Sequence, residues 1–200
     1  KFFYILYLVE NCGRGDTMRI RPYEEKDKEN VRHVCLVTAG CTEKPEEEKQ
    51  FILSLYCDYY IEKEPENCFV VSDDDDNAVG YIMCAESFAD YRRNFKPYAE
   101  KIGKISFIKK LFAYGEMLAH MPASKKFNAH MHIDILPAFQ GKGIGSQLLS
   151  ALTSHLKEKG VNGLMLVVNN SNTNAVKFYR KNGFSAFLNF GQGTLMTLTL

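Results

Sequence analysis

Gln140-Gly141-Lys142-Gly143-Ile144-Gly145 stands between an apolar strand pattern and a helix pattern in which Ile144, Leu148, Leu149 and Leu152 recur on one side. Glycines at such a junction allow backbone conformations closed to other residues and let a ligand approach the main chain closely. The unbonded amides of a helix start, with the macrodipole behind them, favour an anion such as a diphosphate. The run is not a P-loop, because Gly143 rather than serine or threonine follows Lys142. A dinucleotide site would place an acidic residue at the end of the next strand, where Leu164-Met165-Leu166-Val167-Val168 instead runs into Asn169 and Asn170. Upstream, strand alternation puts His130, His132 and Asp134 on one face and Met131, Ile133 and Ile135 on the other. Polar side chains sharing a face of an interior strand require partners or solvent, which makes that face a candidate polar cleft. Structural hydrogen bonding is the competing role for each of them.

The elements that must hold these residues follow from periodicity. A strand at His130 to Leu136, a helix from Gly143 to Lys159 and a strand at Leu164 to Val168 form one β-α-β unit. A short helix over Asn172 to Asn182, stopped by Gly183, and strands at Ser185 to Asn189 and Thr194 to Leu198 complete the C-terminal part. Ahead of it lie a strand from Arg19 ending at Pro22, helices over Glu24 to Val37 and from Thr42 to about Glu62, and a hairpin of Cys68 to Ser72 with Ala78 to Ala85. The hairpin turn, Asp73-Asp74-Asp75-Asp76-Asn77, lacks the spacing, central glycine and distal glutamate of a calcium loop and reads as a solvated tip. Residues 86–128 form an insertion between the third and fourth of these strands, with helical pieces at Tyr91 to Ile102 and Ile108 to Leu118. Its aromatics either line a binding site or cover the core.

Ile135-x-Pro137-x-x-Gln140-Gly141-x-Gly143-Ile144-Gly145, followed by Asn172-x-x-Ala175-x-x-Phe178-Tyr179-x-x-x-Gly183-Phe184, resembles the paired signature of the GNAT N-acetyltransferase superfamily. His132-Ile133-Asp134-Ile135-Leu136-Pro137, with Lys159-Gly160-Val161 and Gly163, is also similar to bacterial members related to the acetyltransferase-like domain of O-GlcNAcases. The resemblance implies an α/β (α+β) fold with a mixed, mostly antiparallel sheet of about six to seven strands flanked by helices, over residues 18–200. It implies acetyl-CoA as cofactor. The main chain of Ile135 and Leu136 would pair with the pantetheine arm, Gln140, Gly141, Lys142, Gly143, Ile144, Gly145 and Ser146 would hold the pyrophosphate, and Asn172 would touch the cofactor. Tyr179 would face the sulfur and serve as the acid for the departing thiolate. An amine must be neutral to attack, so a base is also required, and Asp134 or His132 could supply it through water. The competing reading is a catalytically silent CoA-binding or interaction module of the same fold.

Composition bounds the rest. Two hundred residues with 46% hydrophobic content can build one sizeable core, and 25 basic against 24 acidic residues give nothing that recruits nucleic acid or an anionic membrane. The expected partner is a small-molecule, peptide or protein amine, and the chain is expected to be a monomer or homodimer. Six cysteines without zinc spacing point to reduced thiols and a cytoplasmic setting, and no metal is expected. Phe2 to Val9 is too short for a membrane helix, which needs about 20 residues. Residues 1–17 read as an N-terminal extension, an added strand among the options.

Overall fold

The computed structural model describes residues 7–9 and 18–200. Of the N-terminal extension only β1 (Tyr7–Val9) is therefore described, and expectations for residues 1–6 and 10–17 lie outside the described residues. After it come β2 (Met18–Pro22), α1 (Lys28–Thr38), α2 (Glu46–Tyr56), α3 (Asp58–Lys63), β3 (Cys68–Ser72) and β4 (Ala78–Ala85). Three helices follow, α4 (Phe88–Asn94), α5 (Lys96–Ile105) and α6 (Phe107–His120). The chain ends with β5 (Ala129–Ile135), α7 (Ile144–Glu158), β6 (Gly163–Asn169), α8 (Thr173–Lys181), β7 (Ser185–Asn189) and β8 (Gly193–Thr199).

Two compact units contain these elements, the described residues up to Cys84 with His132–His155, and Ala85–Met131 with Leu156–Leu200. In the first, the strand order is β1-β2-β3-β4 and then the C-terminal half of β5. In the second it is the N-terminal half of β5 and then β6-β8-β7. The pairs β1/β2, β2/β3, β3/β4, β6/β8 and β7/β8 are antiparallel, and β5/β6 is parallel. The fold class is the expected mixed, mostly antiparallel α/β arrangement, with seven strands from β2 onward and β1 added outside β2.

The first unit buries Met18 and Ile20 of β2 while Arg19 between them is exposed, the alternation of a strand with one inward face. All eight residues of β4 are buried, as its unbroken apolar run requires. The helix expected to run unbroken to Glu62 is instead interrupted at Cys57 (φ −130°, ψ −63°). The interruption turns Asp58 inward, where it accepts from Arg32 Nε at 2.9 Å and Nη2 at 3.2 Å and from Gln50 at 3.4 Å. A buried carboxylate needs such partners, and they outweigh the continuity of the helix. At the hairpin tip Asp76 binds Lys26 and, with smaller effect, Arg21, which holds its carboxyl down at about 2. Among the described residues no cluster of His, Cys, Asp and Glu could hold a metal.

In the second unit the insertion contains three helices rather than the two expected. Ser87 and Ser106 accept from the backbone of Asp90 and Lys109 and start α4 and α6, while Pro97 lies in the first turn of α5. Its aromatics divide. Phe88, Tyr91, Phe95 and Tyr98 are buried, whereas Phe107, Phe112 and Tyr114 are exposed. No helix of the described residues is long and apolar enough to cross a membrane.

Candidate active site

The glycine-rich loop opens α7 as the spacing predicts. Pro137–Phe139 forms a single 3-10 turn after β5, and Gln140 turns its side chain back so that Nε2 donates to the Ile135 carbonyl at 2.7 Å. This closes the segment between strand and helix. Gly141 and Gly143 both adopt φ +79°, and a Cβ at either would meet nothing within 4 Å. The first observation explains why glycine is needed, and the second shows open space beside the main chain. The amides of Ser146 and Gln147 donate to the Gly143 carbonyl. Among the described residues no hydrogen bond occupies the amides of Gly141, Lys142, Gly143, Ile144 or Gly145. No acidic residue lies in the first turn of α7, and Ile144, Leu148, Leu149 and Leu152 anchor the helix with their side chains buried. Lys142 is exposed, its ammonium 5.5 Å from the Phe139 ring centre. The arrangement is a pre-formed nest of donors at the positive end of a 15-residue helix, and it fits a diphosphate.

Leading into the loop, the amide of Leu136 donates to the Val79 carbonyl at 2.9 Å, so it is committed to β4. The Leu136 carbonyl accepts from Phe139 and that of Ile135 from Gln140, and each carbonyl oxygen keeps a second acceptor position. Gly80 of β4 makes this register possible. A Cβ there would stand 2.9 Å from Ile135 Cγ1 and 3.0 Å from the Asp134 carbonyl oxygen. Gly80→Ala is therefore expected to cost about 1–3 kcal/mol of stability by overpacking. Because the backbone oxygen cannot swing aside, β5 must shift and coenzyme affinity should fall with stability. Denaturant titration and calorimetry check both, and a variant of unchanged stability would refute the close approach.

The polar face of β5 has three different environments. Asp134 Oδ2 accepts a 2.6 Å hydrogen bond from the fully buried Tyr81 hydroxyl. The residue as a whole is half-buried but its carboxyl is enclosed, and burial pushes the carboxyl up to about 6 against the opposing hydrogen bonds of Tyr81 and Thr38. Burial and the neighbouring Asp134 raise the Tyr81 phenol well above its ordinary range, so it stays protonated and donates. His132 lies edge-on to Tyr56 and Tyr60, ring centres 5.4 and 5.2 Å away. His130, in the second unit, is buried against Tyr91, His120 and Phe88, with ring centres 4.4, 5.2 and 5.6 Å away. Raised to about 6, the Asp134 carboxyl can take up and release a proton near neutral pH.

Sequence reasoning missed Gly80, Tyr81, Thr38, Tyr56 and Tyr60. A lone glycine inside an apolar strand is a signal of close backbone approach and could have marked Gly80. The tyrosines carried no local signal, because only tertiary packing brings them to β5. The Cys57 thiol is raised by its hydrogen bond to Cys35 and by burial, which leaves it unsuited to nucleophilic work.

The remaining expected residues belong to the second unit. Asn172 caps α8, its side-chain oxygen accepting from the Ala175 amide at 3.1 Å. Tyr179 is half-buried on α8, edge-on to Phe178 and Phe184 at 5.3 and 5.5 Å. Gly183 at φ +89° ends the helix as expected.

The profile of the acetyltransferase (GNAT) family matches residues 32–184, more than half of the chain. The chain belongs to the acetyltransferase (GNAT) family. The donor nest at α7 fits the diphosphate of a coenzyme A-type donor. The crystal structure of SsHAT superimposes with a TM-score of 0.78 at 26% identity, covering 91% of this chain and 98% of that one. A ribosomal protein bS18 alanine N-acetyltransferase of Haemophilus influenzae is 50% identical over 54 residues, 27% of this chain and 36% of that protein. A mycothiol acetyltransferase of Renibacterium salmoninarum is 43% identical over 53 residues, 26% of this chain and 16% of that protein. These curated relatives are thus matched over well under half of their length.

Proposed function

We propose that this chain is an N-acetyltransferase that moves an acetyl group from acetyl-CoA to the amine of a small molecule, peptide or protein, with both bound at once. The observation that supports it best is the pair of positive-φ glycines and open amides at the start of α7. Bound there, the cofactor would supply the acetyl group as a thioester. The amides of Gly141 to Gly145 hold the diphosphate, with Ser146 beside them and Lys142 near enough to add charge. Gln140 braces the loop through its bond to Ile135. The carbonyls of Ile135 and Leu136 accept from the amides of the pantetheine arm.

Asp134 takes the proton from the attacking amine, directly or through water, with Tyr81 holding the carboxylate in place. His132, held by Tyr56 and Tyr60, is the second candidate for that role. Asn172 contacts the cofactor through its amide nitrogen, since its oxygen serves the cap. Tyr179 gives its phenolic proton to the leaving thiolate, a role that rests on the family's pattern at Phe178-Tyr179. Tyr179→Phe is then expected to lower kcat about 100-fold while leaving acetyl-CoA affinity unchanged. Thiol-release kinetics beside calorimetric binding decide this, and loss of binding with intact turnover would contradict it.

Residues 18–200 are read as one acetyltransferase domain, kinship with the O-GlcNAcase-related bacterial members rests on the stretch His132 to Pro137, and the reduced thiols favour the cytoplasm. The acceptor class is supported by the small-molecule and protein substrates in the names of its relatives. Thiol release from acetyl-CoA across a panel of amines tests the activity. Binding of the cofactor with no turnover on any amine would favour the silent module.

A further inference from the structure

The near-neutral total charge conceals a division along the chain. Residues 86–128 carry nine basic side chains against four acidic ones, a net +5, whereas the remainder carries 16 against 20, a net −4. Of those four acids, Glu86 meets Lys159, Asp90 meets Arg93 and Glu100 meets Lys96. The fourth, Glu116 on α6, has its carboxyl pushed above the ordinary range by burial. The insertion therefore presents a local cationic surface that the average charge of the chain does not reveal, and such a surface attracts anions.

The same segment exposes large apolar side chains. On α6, Ala113, Met117 and His120 face inward, and Lys109 and Lys110 lie on the two borders of that buried stripe. The outward arc between the borders holds Phe107, Ile108, Leu111 and Leu118, which are 69%, 77%, 55% and 59% exposed. Grouped on one arc rather than scattered singly, they mark an interaction site. Helix α5 is joined to α6 by Ser106 alone, and the Lys110 stem crosses to it. A Cβ at Gly103 would stand 2.9 Å from Lys110 Cδ and 3.7 Å from its Nζ. That ammonium is thus one residue from Lys104, and Lys101 and Lys104 project from the side of α5 opposite the buried Tyr98, Ala99 and Ile102. Apolar arc and lysine border belong to one face.

A bilayer with anionic headgroups matches both features at once, since apolar side chains enter the boundary of headgroups and acyl chains while lysines reach out on long apolar stems to the headgroup charges. A second copy would bring two cationic surfaces together. A folded protein partner fits poorly because lysine is depleted in protein interfaces. Nucleic acid offers phosphates but no apolar phase for Ile108, Leu111 and Leu118. We infer that the outward face of α5 and α6 docks this protein on a membrane surface that contains anionic lipid. Phe107, Ile108, Leu111 and Leu118 enter the bilayer boundary, and Lys101, Lys104 and Lys110 face the headgroups. The insertion thereby acquires a role separate from chemistry.

The test is flotation of the full chain with vesicles of phosphatidylcholine alone and of phosphatidylcholine mixed with phosphatidylserine. The wild type is expected to float with the mixed vesicles and not with phosphatidylcholine alone. Ile108→Ser combined with Leu111→Ser, both at exposed positions, should lower the partition coefficient by roughly tenfold or more. Lys101→Gln combined with Lys104→Gln should lower it by roughly 25-fold, about fivefold for each charge removed. Both variants should keep the native thermal midpoint. A wild type that does not float with the mixed vesicles, or floats equally with phosphatidylcholine alone, would overturn the inference. So would a serine variant that floats as well as the wild type, because adsorption by charge alone needs no apolar arc. A wild type that stays off vesicles and sediments as a dimer, with the serine variant a monomer, would assign the face to self-association instead.

Discussion

Gly143→Glu is expected to abolish measurable coenzyme A binding while the circular dichroism spectrum stays that of the native fold. Gly143 has φ +79°, and a residue with a Cβ there carries about 1–2 kcal/mol of strain. The larger effect comes from the carboxylate. It projects into the space beside the open amides, where it satisfies donors meant for a diphosphate and repels the diphosphate's charge. Each charge-assisted hydrogen bond lost costs about 1.5–3 kcal/mol, so loss of two or more lowers affinity by more than about 100-fold. Gly143→Ala separates the two causes, because it keeps the strain and lacks the charge. Isothermal calorimetry should find it weakened by roughly tenfold, between wild type and Gly143→Glu. Equal affinities for all three proteins would show that the loop does not hold the coenzyme.

Asp134→Asn is expected to have the second large effect, in opposite directions on activity and stability. The carboxyl titrates at about 6, raised from the ordinary 3.8 mainly by burial. As a base it must be ionised, so kcat/KM of the native enzyme rises as pH increases through about 6. Asparagine accepts the Tyr81 hydrogen bond but takes no proton. The rate should fall by about 10²–10⁴ and the limb near pH 6 should vanish. For stability, a carboxyl whose folded pKa is raised favours the fold while it is protonated, and that contribution is lost as pH rises through about 6. Ionising it in the enclosed site costs on the order of 3 kcal/mol, a cost the asparagine lacks. Asp134→Asn should therefore unfold at higher denaturant than the native protein at pH 8 and at about the same denaturant at pH 4. A kcat/KM profile that keeps its limb in the variant would transfer the role to His132 or to water.

The C-terminal half was legible because each element there has its own punctuation. Gly143 and Gly183 bracket helices, and the apolar runs before and after α7 are too short to be anything but strands, so β5, α7, β6, α8, β7 and β8 fall within about a residue of expectation. The break at Cys57 was not legible, since Phe51, Ile52, Leu55 and Tyr59 keep helical spacing across it and only the distant Arg32 explains it. The insertion hid its third helix because Ser87 and Ser106, the two caps, were passed over among glycines and lysines. The glycine-rich loop at the start of α7 could be read from six consecutive residues. The candidate bases could be narrowed to two residues on one strand face, but not their surroundings, because Asp134 meets Tyr81 of β4, 53 positions away, only in the folded chain.

The most direct measurement is a pair of amide NMR titrations of the protein labelled with nitrogen-15, one with coenzyme A and one with pantetheine, which lacks the diphosphate. Coenzyme A should move the Gly141, Gly143 and Gly145 amide resonances downfield, as expected for new hydrogen bonds to phosphate oxygens, and pantetheine should leave those three in place. Saturable coenzyme binding with all three resonances unmoved would contradict the claim that the start of α7 holds the diphosphate.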